Sequence, residues 1–338
     1  MKAKRFIFSV IALCCTMVAW AQNNQSVTAI LQHVVDGNET VKVYVGKEAF
    51  KNAYNDAVNG DVITLSSGSF DSPSVFQKEL SVYGAGYEED AASGTAVTTL
   101  NSSIFIKGVE SLSNLHFEGL RISSDITCRV PITNMVISKC FCQHVYFHGD
   151  GALYTDITIQ QCVITLGVGG YSFNSGYITK ANNLIIKNCI LGGASIFDPS
   201  STPQIDHCLL LGQTNNTNAS VYPFWYTNCV FGRRGAVQVV GTLENCIIPW
   251  GNGGHEINLI KRDDKIFSDS DDGWASDYSA TRTYELLLPE VWIGNDGTQI
   301  GIHGGDGFSK VPSTPVIKNM TVTPEGKKIK VNYETNVR

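Results

Sequence analysis

Apolar and polar positions along this chain repeat in a short cycle that cysteine marks. Six cysteines, Cys140, Cys162, Cys189, Cys208, Cys229 and Cys246, share one context, with successive gaps of 22, 27, 19, 21 and 17 residues. Counted from each cysteine, position −3 is Ile137, Ile159, Ile186, Ile205, Tyr226 and Leu243, and position +2 is Cys142, Ile164, Leu191, Leu210, Phe231 and Ile248. Position −5 is Met135, Ile157, Leu184 and Phe224, with Pro203 and Gly241 in the remaining two. Such alternation predicts a strand with one buried face. Position −1 is Lys139, Gln161, Asn188, His207, Asn228 and Asn245. Polar residues there suit a bend in the left-handed backbone region that Asn tolerates. Past the bend, the cysteine and the +2 residue point inward again. The outward positions are then −4 (Val136, Thr158, Ile185, Gln204, Trp225, Thr242) and −2 (Ser138, Gln160, Lys187, Asp206, Thr227, Glu244).

The pattern runs upstream without its cysteine. Leu120 takes that position 20 residues before Cys140, behind Leu115 and Phe117. The cysteine is therefore a core volume that leucine can replace, in keeping with free Cys being among the most buried residue types. One strand per turn of about 20 residues, with no helix long enough for a βαβ crossover, predicts a parallel coil. A zinc framework needs close pairs such as C-x₂-C, which are missing. Disulfides suit an exported chain, but the regular stacking favours free buried thiols. Cys128 lies off the register.

At the N-terminal side, residues 47–59 place Phe50, Ala53, Tyr54, Ala57 and Val58 on one helical stripe. Such a helix would cover the open end of the coil. Gly60-Asp61-Val62-Ile63-Thr64-Leu65 and Gly68-Ser69-Phe70 follow as strand and turn, and Leu80-Ser81-Val82-Tyr83-Gly84 repeats the theme. Together these segments resemble the first coils of the pectate-lyase-like right-handed β-helix superfamily. Asn295-Asp296-Gly297-Thr298-Gln299-Ile300-Gly301 resembles the closing segment of secreted members from Bacteroidetes-type bacteria. The resemblance spans residues 46–310. It implies an all-β, right-handed, single-stranded parallel β-helix with an N-terminal capping helix and C-terminal β-strands. That superfamily holds lyases, hydrolases, esterases and adhesins, so fold alone names no activity. Residues 311–338 read as two strands and a turn, which either finish the domain or begin a small sandwich.

The first residues read as an export signal: Lys2, Lys4 and Arg5, an apolar stretch, then Ala19-Trp20-Ala21 as a cleavage site. The expected division is signal peptide 1–21, N-terminal segment 22–45, β-helix 46–310 and terminal strands 311–338. Cys14 and Cys15 lack the small preceding residue of a lipidation site. The expected destination is the periplasm, the outer surface or the medium of a Gram-negative bacterium. No stretch reaches the ~20 apolar residues of a membrane helix. A formal charge of −6 with no basic block gives no footprint for nucleic acid.

Catalytic chemistry would have to sit on outward positions of neighbouring rungs. Asp206 and Glu244 are the candidate acid pair, one rung apart on either side of neutral Thr227. Asp269, Asp271, Asp272 and Asp277 form an acidic run, of which Asp269, Asp271 and Asp272 are the metal candidates, without calcium-loop spacing. A solvated loop is its simpler reading. His144, His148 and Asp150 could gather around a metal or act as acid and base. Gly253-Gly254-His255-Glu256 resembles the G-H-G of polygalacturonases, but that family's other segments do not precede it. Trp225 stands outward between inward Phe224 and Tyr226, and an exposed indole is a natural sugar platform. Trp250, Trp274 and Trp292 fall in later segments. The leading expectation is a non-catalytic carbohydrate-associated or adhesive surface, with polysaccharide as partner and no cofactor. The alternatives are a polysaccharide lyase or glycoside hydrolase, a lyase bringing Ca²⁺, and a structural protein with no glycan ligand.

Overall fold

The computed structural model describes residues 27–35, 38–90, 93, 95–148, 151–171, 179–195, 201, 203–212, 224–233, 236–238, 241–252, 255–262, 264–313, 316–325 and 328–336. The expected signal peptide with Cys14 and Cys15, together with Asp150, Gly253, Gly254 and Asp263, lies outside them.

Two long sheets share the chain in alternation. After β1 (Thr28–Val35), β2 (Asn38–Val45), α1 (Ala49–Asp56) and β3 (Val62–Leu65), one sheet takes Ser81–Tyr83, Leu112–Glu118, Ile132–Ser138, Leu153–Gln160, Lys180–Lys187, Gln204–Asp206, Trp225–Thr227, Thr242–Glu244 and His255–Ile257. The other takes Gly68–Phe70, Thr98–Leu100, Arg121–Ile122, Phe141–His148, Val163–Tyr171, Ile190–Leu191, Leu209–Leu210, Val230–Phe231, Ile247–Ile248 and Ile260–Lys261. From β3 onward neighbouring strands within each sheet are parallel, so every pass of the chain adds one strand to both. A shorter ladder forms where Ile104–Ile106 and Ile126–Cys128 pair in line with the second half of Phe141–His148. Cys128, off the sequence register, belongs to that ladder and is fully buried.

The inward positions read from the sequence are buried, with positions −5, −3 and +2 lining one continuous core alongside the cysteines. The six thiols stack rung on rung. The backbone N–H of Cys140 points at Cys162 Sγ, that of Cys162 at Cys189 Sγ, that of Cys189 at Cys208 Sγ and that of Cys208 at Cys229 Sγ, each at 3.4 Å. Each thiol in turn reaches carbonyls of its own bend, as Cys140 Sγ does to Ser138 O at 3.2 Å. The eight described cysteines are free and buried. Burial pushes the Cys128 and Cys142 thiols up, away from the reactive thiolate. Ellman's reagent should therefore find none of these eight thiols in the native protein and all eight after unfolding in guanidinium. Rapid native labelling of several of them would contradict a sealed ladder.

Position −1 bends as expected. Lys139, Gln161, Asn188, His207, Asn228 and Asn245 have φ between 47° and 54°. A second left-handed column, unexpected from the sequence, lies at position −6: Asn114, Asn134, Asp156 and Asn183, with φ of 54–59°. Each left-handed non-glycine residue costs roughly 1 kcal/mol, least for Asn and Asp, which explains their repeated use.

At the N-terminal end α1 covers the core as expected: Phe50 and Tyr54 pack on Phe76, which packs edge-on against Phe117. A hairpin not expected from the sequence adds to the first sheet's edge, where β1 pairs antiparallel with both β2 and β3. The helix ends at Asp56 and Ala57 is extended. Val58, expected on the buried stripe, is consequently 49% exposed. At the other end Val316–Glu325 and Lys328–Asn336 form a two-stranded antiparallel sheet of their own, the two strands read from the sequence.

The segment 264–313 contributes isolated bridges in place of ladder strands. Ile266, Phe267, Trp274, Tyr284, Leu286, Trp292, Ile300 and Ile302 bury themselves against an apolar column on the outside of the second sheet: Val163, Ile190, Leu209, Val230 and Ile247. That column is position +1. Each such side chain withdrawn from water stabilises the molecule by about 1.5–3 kcal/mol, and this holds the segment in place where few strand hydrogen bonds do. Its last part, 294–313, runs back as a strap over the −1 bends. The strap accepts from Asn188 at Ile302 O (3.0 Å) and Gly304 O (2.7 Å), and Gly301 N–H donates to Asn228 O (2.8 Å). Gln161 donates to Gly307 O, and Ser313 donates to Glu118. The stretch that resembles a closing segment therefore closes a flank.

Candidate functional site

Parallel register places the sequence-predicted residues of the first sheet together. Trp225 sits between Gln204 and Thr242 on neighbouring strands, and Thr227 sits between Asp206 and Glu244. About 9–10 Å of strand spacing therefore separates the two acidic residues. Trp225 is 46% exposed although its strand neighbour Tyr226 is in the core. Its Nε1–H donates to Glu244 Oε2 at 3.2 Å, which fixes the ring on the sheet surface.

Neither carboxylate of the candidate pair is unattached. Asp206 Oδ1 accepts from Thr227 Oγ1 (2.8 Å) and Asn228 Nδ2 (3.2 Å). Glu244 Oε1 accepts from Asn295 Nδ2 (3.3 Å), while Oε2 holds the indole. Asn295 N–H donates to Asn228 Oδ1 (3.0 Å), so the strap binds the face through the bend residue. Behind these groups lies His207, 1% exposed. Its Nδ1 faces Gly301 O at 3.2 Å and its Nε2 faces Asp296 Oδ2 at 3.0 Å. Partial burial disfavours the charge of Asp296, but the Thr298 N–H and hydroxyl and then His207 outweigh it and hold the carboxyl below its usual range.

Sequence reading missed Asn295, Asp296 and the second role of His207 and Asn228. The signal was there: a −1 residue needs only to bend, and Asn or Gly does that most readily, so a histidine in the column marks a side chain with another task.

The other candidates are dispersed. Arg282 Nη2 donates to Asp269 Oδ1 (2.8 Å), and the N–H groups of Thr283 and Tyr284 donate to Oδ2. Burial works against the Asp269 charge, yet Arg282 and the Tyr284 N–H keep its carboxyl low. Asp272 caps a turn, accepting from Ser270 Oγ and Trp274 N, and Asp271 and Asp277 are exposed. No three His, Cys, Asp or Glu side chains gather in a metal-binding arrangement among the described residues. His144 Nδ1 lies 2.9 Å from Asp125 Oδ1, its ring stacked on Tyr146, while His148 is buried. His255 is exposed on the last strand of the first sheet. Trp274 and Trp292 belong to the flank segment and are buried against the second sheet, with the Arg262 guanidinium over the Trp292 ring. The Trp250 side chain lies outside the described residues.

No helix among the described residues is long and apolar enough to cross a membrane. Neither a family model, nor a curated protein, nor a solved structure matches this chain.

Proposed function

We propose that the protein is an exported right-handed parallel β-helix of the pectate-lyase-like kind, and that its first-sheet face binds carbohydrate without transforming it. The parallel strands within each sheet support that handedness, because crossovers between parallel strands are right-handed in nearly all proteins. The observation that carries the binding reading is Trp225: a large apolar ring, exposed and held by Glu244, among Gln204, Thr242 and Thr227. A flat indole with hydrogen-bonding neighbours suits a sugar ring, which has an apolar face and a polar rim.

A glycoside hydrolase is the second reading, favoured by the Asp206–Glu244 spacing, which falls near the range of inverting pairs. The hydrogen bonds on both carboxylates favour a positioning role over it. Retention on a panel of immobilised neutral and charged polysaccharides tests the proposal. Wild-type protein should be retained by at least one of them, and Trp225→Ala should weaken retention by about tenfold or more. Release of reducing or unsaturated sugar ends by the wild type would replace the binding reading with the enzymatic one.

A further inference from the structure

The charge around Trp225 bears on which sugar it takes, an inference that rests on the reading of Trp225 as a sugar platform. Glu244 touches the indole N–H itself, and Asp206 lies in the same outward column two strands away. Asp296, 37% exposed, joins them through His207 and Asn228. The lysine on this face is Lys187, the strand neighbour of Asp206, and it pairs with Asp306. His255, exposed beside Thr242, is the titratable base on the rim.

A uronate placed on the indole would bring its carboxylate against Glu244, with Asp206 two strands further on and the Lys187 ammonium beside Asp206 already paired with Asp306, a like-charge juxtaposition at the indole itself. A protonated amine in the same place gains twice. It is attracted by the ring quadrupole when it lies over the indole, and it pairs with Glu244, which is already held in position by Asn295. We propose that this face takes amino-sugar glycans, with a hexosamine ring stacked on Trp225 and its ammonium group against Glu244. The ligand class is thus opposite in charge to the uronates that lyases of similar architecture cleave.

The test compares glucosamine, N-acetylglucosamine and galacturonate oligomers of equal length by calorimetric titration near pH 6, where carboxylates are ionised and sugar amines are protonated. The expected order is glucosamine, then N-acetylglucosamine, then galacturonate, with every affinity lowered about tenfold or more in Trp225→Ala. Glu244→Gln, which keeps an acceptor for the indole N–H, should lower the glucosamine-to-N-acetylglucosamine affinity ratio about fivefold. Added salt should lower that ratio as well. Galacturonate binding as tight as glucosamine, or a ratio unmoved by Glu244→Gln, would overturn the inference while leaving the platform intact. Affinities unchanged in Trp225→Ala, or no binding by any oligomer, would overturn the platform and the inference together.

Discussion

Gly304→Ala is expected to destabilise the protein by about 3 kcal/mol and to loosen the strap. A methyl group on Gly304 would stand 1.7 Å from Gln299 O and 2.5 Å from the His207 ring. Neither neighbour has room to give way. His207 is closed in by the core rung below and bonded to Gly301 O and Asp296, while Gln299 O belongs to the strap's own turn. The strap must rise, and with it Asn295, which holds Glu244, and the carbonyls that accept from Asn188. Tryptic cleavage at Lys310 should accelerate, and the thermal midpoint should fall by about 5 °C. Gly307→Ala is the control, because Gly307 has a φ of +74° and open space around it. It should cost only the strain of a left-handed alanine, roughly 1 kcal/mol. Equal effects of the two substitutions would mean that the strap is not seated on His207.

Acid should release the same strap at its far end. Glu118 is buried, accepts from Ser313 N and Oγ, and lies near His116 and Lys139. Burial raises its pKa, but the neighbouring His116 ring, the Ser313 hydrogen bonds and the Lys139 charge outweigh burial and hold it at about 2. The folded state therefore favours the ionised form. The resulting stability is present in full above the ordinary glutamate range and is lost as pH falls from about 4.5 toward 2. It amounts to roughly 2–3 kcal/mol. Urea unfolding at pH 7, 5, 4 and 3 measures it. Wild-type protein should lose stability more steeply below pH 4.5 than Glu118→Gln, which should be the weaker of the two at pH 7. Parallel curves would remove Glu118 as the acid-sensitive anchor.

Much of this architecture is legible in the cysteine rungs because two constraints coincide there. Period-two alternation sets which side chains turn inward, and the left-handed bend at −1 restricts residue type independently. Trp225, Asp206 and Glu244 could be set on one face for the same reason, since parallel register copies a position from rung to rung. Position +1 was equally regular, Phe141, Val163, Ile190, Leu209, Val230 and Ile247. Consecutive apolar residues at +1 and +2 are the mark of a strand covered on both faces, and they foretell a covering segment. What covers them was not legible, because 264–313 follows no period; its apolar residues fit a surface made by other rungs. The N-terminal hairpin is a milder case. Asp36-Gly37 between two alternating runs is a hairpin signal by itself, whereas its pairing to β3 depends on an edge that exists only in the fold. Asn295 and Asp296 matter through contacts more than 50 residues away in sequence, beyond the reach of local pattern.

The most direct test of the binding face is a crystal structure of the protein with an oligosaccharide that it retains. A sugar ring should lie parallel to the Trp225 indole, with polar groups reaching Glu244 and Gln204. A sugar bound to the second sheet, the N-terminal hairpin or the strap, with Trp225 bare, would contradict that expectation.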